Sequence, residues 1–501
     1  MKKYLFILIS LFCLAGRVSS QIPTPQLSEM RGIWVASVVN IDWPSEPGLS
    51  DETLRLEADN VINRVARMGL NAIFLQVRPS SDAIYKSDIE PLSTYLVGTD
   101  FSRQMSFDAL EYWIAAAHRK GIELHAWVNP FRVTQKADFP SAENHIQYTH
   151  PDWLITYSEK LFLDPGLPQA RDYVCRVVMD IVNRYDVDGI HFDDYFYPYP
   201  VKGETFNDDK SFALDNPDNL SRADWRRRNV TEVIRSVGDS IRSVKPWVQF
   251  GISPFGVWRN KRDDERGSNT RAGVTNYDVL YADIMKWIDD KMIDYVIPQI
   301  YWESGNKFAD FDELEQWWSK LSTPSTRIFV GHAVYKINDG KTPKVGWNNK
   351  NEMPTQVTKV RNNPRNDGSV YFSYRQFNRP DIFEFDNYLA NYFYKDKALQ
   401  PPVCKGESGE INITHLERDG RNLNWDVEGD TSQVRFYVVF KTLRDEKEKI
   451  GSNESILLIT DQRGLTLPLT VGRRHRYVYR VAAVDKYRRL HEMSRQITIR
   501  E

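Results

Sequence analysis

The sequence predicts an α/β protein: a (β/α)8 TIM barrel followed by a small all-β sandwich. Three observations carry that expectation. Between Met30 and about Phe393, short apolar runs alternate with longer amphipathic stretches. No GxGxxG or P-loop follows the first apolar run, as a doubly wound open sheet of the nucleotide-binding kind would show. Beyond Leu399 the pattern changes to short, closely spaced strands. Eight strand-plus-helix units in about 360 residues fall inside the usual span of such barrels.

In chain order, the strand candidates begin near Arg31 (RGIWVAS), Ala72 (AIFLQVRP), Glu123 (ELHAWVNP), Asp188 (DGIHFDDYF), Val248 (VQFGISPFG), Asp294 (DYVIPQIYW), Arg327 (RIFVGHAVY) and Gly368 (GSVYFSYRQF). Helical segments are predicted between them over 52–68, 107–120, 169–185, 222–244, 278–291, 311–321 and 352–361, with a last one near 385–394. Pro401 and Pro402 then break the chain. Five strands follow in the sandwich, at NLNWDV (422), VRFYVVFK (434), SILLIT (455), YVYRVAAVD (477) and SRQITIRE (494).

At the amino terminus, Lys2 and Lys3 precede the apolar run Leu5–Leu14, and Ser19 and Ser20 supply small residues. This is the pattern of a secretory signal over residues 1–20, with a mature start at Gln21. The alternative, a lipoprotein modified at Cys13, puts bulky Phe12 where a small residue is needed. The apolar run is too short for a stable membrane anchor, so no integral span is expected in the mature chain. The barrel is assigned to 21–399 and the sandwich to 400–501. The expected location is across the inner membrane, in the periplasm or cell envelope. Without the leader, Cys175 and Cys404 remain, which is no disulfide framework.

The chain has 66 Lys and Arg against 68 Asp and Glu, a formal net charge of −2, which disfavours nucleic acid as a partner. Aromatic residues make up 13% of it. Barrel chemistry sits at the carboxyl ends of the strands, and residues two apart on a strand share a face. That alternation points His191, Asp193 and Tyr195 of the fourth strand into the mouth, with Asp194 beside them. It does the same for Gln299, Tyr301 and Glu303 of the sixth, for Gln76 and Arg78 of the second, and for His125, Trp127 and Asn129 of the third, followed by Arg132. Loop residues Asp82 and Tyr85 come after the second strand.

Two carboxylates on such strands suit glycoside hydrolysis. One must donate a proton to the leaving oxygen, and the other must attack the anomeric carbon or activate water. Asp193 or Asp194 is the natural ionised partner. Glu303 is the natural acid, because Tyr301 and Trp302 would desolvate it. Trp43, Tyr85, Trp258, Tyr301 and Trp302 offer flat faces for sugar rings, whereas Trp113, Trp225, Trp287, Trp317 and Trp318 lie on helices and read as packing. Metal catalysis has little support: there is no HExxH, no close His pair and no cysteine cluster. Asn207, Asp208, Asp209, Asp215 and Asp218 would suit calcium, but a solvated acidic loop is the preferred reading. Ser253 sits on no GxSxG elbow. No cofactor or catalytic metal is expected.

The segments RGIWVASVVNIDWPS (31–45), QVRPSSDAIYKSDIEPLSTYLVG (76–98), AWVNPFR (126–132), DGIHFDDYFYPYP (188–200), GISPFGVWRN (251–260) and PQIYW (298–302) resemble the glycosyl-hydrolase-like ten family. The resemblance implies a secreted or envelope-bound bacterial barrel acting on glycans, in particular peptidoglycan strands stripped of peptides. DGIHFDDY (188–195) also looks like the fourth-strand DGxDxDxE signature of chitinase-like enzymes. Here, however, Tyr195 replaces the acid Glu and His191 the middle Asp, which argues against a substrate-assisted N-acetyl mechanism. In α-galactosidase-like barrels, which the segment also resembles, a fourth-strand Asp is the nucleophile and the acid comes from the sixth strand, as Asp193 and Glu303 would. Asp82, inside the long second motif, is the alternative acid.

Asp42, Arg78, His125, Asn129, Arg132, His191, Tyr195, Gln299 and Tyr301 are expected to contact or position an oligosaccharide or polysaccharide. The residues at 477–485, with Trp425 upstream, resemble a fibronectin type III module. A second functional hypothesis is a catalytically inert glycan-binding envelope protein that uses the same cleft.

Overall fold

The structure, a computed structural model, describes residues 27–340, 344–403, 405–468 and 475–501. The expected leader, with Cys13, and Cys404 lie outside these residues. Eight parallel strands form the barrel: β1 (Met30–Val35), β2 (Ala72–Arg78), β3 (Glu123–Val128), β4 (Gly189–Phe192), β5 (Gln249–Ile252), β6 (Tyr295–Val296), β7 in two pieces (Arg327–Ile328 and Val330–Ala333) and β8 (Gly368–Phe372). β1 pairs with both β2 and β8. The first piece of β7 pairs with β6 and the second with β8, so the hydrogen-bonded circuit closes.

Alternation explains the two layers around this circuit. Ile33, Val35, Ile73, Leu75, Ile190 and Phe192 face outward into the main core. Trp34, Phe74, Trp127, Tyr295, Phe329 and Val370 fill the inside. Two small residues make room there. A Cβ on Gly251 would lie 2.1 Å from the Tyr295 ring, and one on Gly189 would lie 2.3 Å from His125 Nδ1.

The covering helices are α1 (Asp51–Arg67), α2 (Ala109–His118), α3 (Pro168–Arg184), α4 (Arg222–Val244), α5 (Ile284–Asp289), α6 (Phe311–Ser319) and α7 (Glu352–Asn362). Ser50, Asp108 and Ser221 cap α1, α2 and α4 by accepting backbone N–H bonds that the first helical turn leaves free. α5 is shorter than the predicted 278–291. Tyr281 takes a left-handed conformation (φ 55°), and the Asp283 carboxylate caps a helix that starts after it. Between β3 and β4 the chain also adds a small antiparallel sheet (Arg132–Thr134, Leu154–Tyr157, Lys160–Leu163), which periodicity did not predict.

Two antiparallel sheets follow the barrel. One joins Ile411–Asp419, Asn422–Gly429 and Gly464–Thr466; the other joins Ile456–Thr460, Val434–Leu443, Arg476–Asp485 and Ile497–Arg500. The strands at 411 and 464 were not foreseen. Trp425, Tyr437, Val439, Tyr479 and Val481 pack between the sheets.

This sandwich seats on the amino-terminal face of the barrel, opposite the strand ends where chemistry is expected. Arg488 donates to Glu123 at the start of β3, with Nη2 to Oε2 at 2.6 Å. Arg435 pairs with Asp188 (3.0 Å) and Asp186 (2.7 Å) just before β4. Arg488, Glu123, Arg435 and Asp188 are all buried.

Candidate active site

β4 ends at Phe192, and Asp193 and Asp194 follow at the carboxyl-terminal mouth of the barrel. Both are buried. They line a cavity of about 420 Å³ and are its only carboxylates among the described residues. Trp34, Trp127, Tyr301, Tyr335 and Phe372 supply its apolar walls, and Gln76, Arg132, Gln135 and Gln299 its polar ones.

Neutral donors fix Asp193. Its Oδ1 accepts from the Tyr195 backbone N–H (3.2 Å), and its Oδ2 accepts from Trp127 Nε1 (3.3 Å) and from the Asn129 amide. The Asn129 oxygen accepts from Gln76 Nε2 (2.6 Å), and the Gln76 oxygen accepts from the backbone N–H groups of Ser37 (3.0 Å) and Val38 (2.9 Å). A relay of amides thus ties the loop after β1 to the carboxylate. Burial raises the pKa of Asp193, against the positive charge of Arg132 and these donors. Asp194 accepts from the Tyr199 hydroxyl. Burial, and then the neighbouring charge of Asp193, push its carboxyl up to about 7. In such a pair one group holds a proton near neutrality while the other is ionised.

Beneath the carboxylates runs a second chain of hydrogen bonds. Trp34 Nε1, which can only donate, points at His191 Nε2 (3.1 Å), so that nitrogen is the acceptor and Nδ1 carries the proton. His191 Nδ1 then donates to the Tyr295 hydroxyl (3.3 Å), and that hydroxyl donates to His125 Nδ1 (3.0 Å). His125 Nε2 donates to Glu123 (3.3 Å). Burial holds His191 well below the usual histidine range, in keeping with this neutral arrangement.

Of the residues predicted to form the site, Asp193, Asp194, Arg132, Tyr195, Gln299 and Tyr301 line the cavity. Asn129 acts one layer back, and His191 and His125 lie in the barrel interior. The other expected residues stand elsewhere. Glu303 is turned away: its carboxylate accepts from Trp347 Nε1 (3.0 Å) and Asn306 Nδ2 (2.9 Å). Asp82 is buried in its loop, accepting from Ser80 N (3.1 Å) beside His145. A register shift between Gln76 and Arg78 turns Arg78 out of the mouth, into a buried ion pair with Glu90 (2.6 Å). Asp42 braces loops, accepting from Ala36 N (2.7 Å) and Ser373 Oγ (3.0 Å).

The expected rim aromatics are mostly packing. Trp43 lies in the core against Trp113 (5.2 Å) and Tyr85 against Tyr185 (5.6 Å). Trp258 stacks on Trp317 (6.0 Å), and Trp302 meets Phe255 edge-on (5.4 Å). Of the expected rim aromatics only Tyr301 lines the cavity, joined there by Trp34, Trp127, Tyr335 and Phe372; Trp34 and Trp127 are inward-facing positions of β1 and β3. The acidic loop is not simply solvated. Asp208 is buried and pairs with Arg222 and Arg226, while Asp215 pairs with Arg171 and Arg228.

A family model described as glycosyl hydrolase-like 10 matches residues 29–349. The chain is 36% identical to the glycosyl hydrolase YngK of Bacillus subtilis over 93% of its own length and 92% of the relative's. It is 34% identical to the glycosyl hydrolase DigH of Escherichia coli over 74% and 88%. A looser likeness, at 12% identity and a TM-score of 0.47, is to the PgaB (BpsB) glycoside hydrolase domain of Bordetella bronchiseptica, over 72% of this chain and 99% of that one. The chain belongs to the glycosyl hydrolase-like 10 family and is a glycoside hydrolase.

Proposed function

We propose that this member of the glycosyl hydrolase-like 10 family cleaves a bacterial envelope glycan, the peptide-free strands of peptidoglycan, with Asp193 and Asp194 as its working carboxylates. One observation carries the reading: two adjacent buried carboxyls, with different hydrogen-bond partners, are the only acids among the described residues lining an aromatic-walled cavity at the mouth of the barrel. Asp194, protonated up to about pH 7, delivers its proton to the glycosidic oxygen as the C–O bond breaks. Asp193, ionised and aimed by Asn129, Trp127 and the Tyr195 N–H, attacks the anomeric carbon or takes the proton of the attacking water. The Trp34 and Trp127 rings provide apolar faces for pyranose rings.

Two features of the sequence support an extracytoplasmic setting: the lysines and apolar run of residues 2–14, and small residues at Ser19 and Ser20. Among the described residues no helix is long and apolar enough to cross a membrane. The three-plus-four strand arrangement of the terminal sandwich supports a fibronectin type III module acting as a spacer.

The test is incubation with peptide-free peptidoglycan strands and a panel of other glycans, scoring new reducing ends. Release from the strands is expected. Release only from other glycans overturns the substrate, and release from none overturns the hydrolytic reading.

A further inference from the structure

We infer that Arg132 is a subsite for a carboxylate carried by the sugar itself, so that the enzyme prefers acidic sugar residues over neutral ones; this deepens the reading of the cleft given above. Arg132 is only 7% exposed. A guanidinium that deeply buried is normally committed to a carboxylate or to several carbonyls. Nearby examples show this: Arg78 is spent on Glu90 and on the Pro130 carbonyl, and Arg435 on Asp186 and Asp188. The Arg132 guanidinium makes no hydrogen bond or ion pair with any described residue. Its one close partner is the Tyr195 ring, with Cζ 4.4 Å from the centroid. That stacking fixes the plane of the group and leaves its N–H edge open toward the cavity it lines.

The two aspartates beside it do not consume it. Asp193 accepts from Trp127, Asn129 and the Tyr195 N–H and Asp194 from Tyr199, so Arg132 acts on both through its charge, without a hydrogen bond or ion pair to either. The result is a preorganised cation with unspent donors, the only cationic side chain among the described residues that line the cleft. Gln135, which also lines the cavity, offers a further amide at the same wall. Five N–H donors in a planar fork match a carboxylate edge to edge, whereas a neutral hydroxyl uses only one of them. Among the sugars that carry such a group are a muramic-type residue, whose lactyl ether ends in a free carboxylate once the peptide is gone, and a hexuronic acid.

Chemical reduction of the sugar carboxylate to an alcohol tests this without altering the protein. Wild type is assayed on native peptide-free strands, on the same strands after reduction, and on a hexuronate polymer, alongside Arg132→Gln. Reduction is expected to lower wild-type kcat/KM by about tenfold or more, mainly through KM. Arg132→Gln should lose a similar factor on native strands and show no further loss on reduced ones. Arg132-dependent cleavage of the hexuronate polymer assigns the subsite to uronic acids, and cleavage of native strands alone assigns it to the lactyl group. Equal wild-type kcat/KM on native and reduced strands overturns the subsite while the hydrolytic reading stands. If wild type releases no reducing ends, the hydrolytic reading fails instead. Calorimetric binding of the native and reduced strands then decides the subsite, and equal affinity overturns it.

Discussion

The Tyr199 hydroxyl donates a hydrogen bond to the carboxylate of Asp194. Burial and the neighbouring carboxylates hold the tyrosine well above its usual range, so it stays a donor throughout the working pH. A donor to the charged form lowers a carboxyl pKa. Removing this one with Tyr199→Phe should therefore raise the Asp194 pKa above about 7 and move the basic limb of kcat/KM, where the acid loses its proton, to higher pH. A pH–rate profile checks this, and an unmoved or lowered basic limb contradicts Asp194 as the acid.

Asn129→Ala acts on the other limb. The Asn129 amide stabilises ionised Asp193, so its loss raises the Asp193 pKa and shifts the acid limb upward. A fall in kcat of about tenfold to a hundredfold is expected, with KM less affected. An effect confined to KM would make Asn129 a sugar contact and not a positioning residue.

Stability and activity should trade against each other at Asp194. Its folded pKa, about 7, lies above the ordinary aspartate value of 3.8, so between those pH values the folded chain binds a proton that the unfolded chain does not. The contribution of Asp194 to stability is greatest below pH 4 and falls as pH rises toward 7. A gap of about three units corresponds to roughly 4 kcal/mol. Asp194→Asn removes that loss, so at pH 8 it should outlast wild type in urea, while at pH 4 the two should converge. Equal midpoints at pH 8 contradict the buried, like-charged pair.

Arg488→Met leaves Glu123 buried without its cation beneath the barrel. Breaking one side of such a pair costs about 3–5 kcal/mol, and Arg488→Met combined with Glu123→Gln should recover part of it. Denaturant midpoints measure both. A loss below about 1 kcal/mol for the single variant would show that the seam between barrel and sandwich does not depend on this pair.

Much of the barrel was legible because β/α alternation is a property of the chain itself: each of the eight strands begins within a residue or two of where an apolar run announced it. Alternation also placed Trp127, Asp193, Gln299 and Tyr301 correctly, and Trp34 was available to the same rule. It failed where the pleat ends. β6 stops at Val296, and Gln299 joins its neighbours through isolated bridges to Phe255 and Gly331 outside any regular strand, so inward parity no longer applied by Glu303. At Arg78 the register shift broke it within a strand. Aromatic content carries no address: Trp43, Tyr85 and Trp258 fill packing sites indistinguishable in sequence from a sugar platform. The open guanidinium of Arg132 was not legible either, because it depends on which donors reach Asp193 first.

Reducing-end release from peptide-free peptidoglycan strands by wild type, Asp193→Asn, Asp194→Asn and Glu303→Gln, compared at pH 6, tests the central claim most directly. Release by wild type and Glu303→Gln, with a loss of about a hundredfold or more in each aspartate variant, is the expected result. Undiminished release by both aspartate variants, or its loss in Glu303→Gln alone, would contradict the assignment of Asp193 and Asp194 as the working pair.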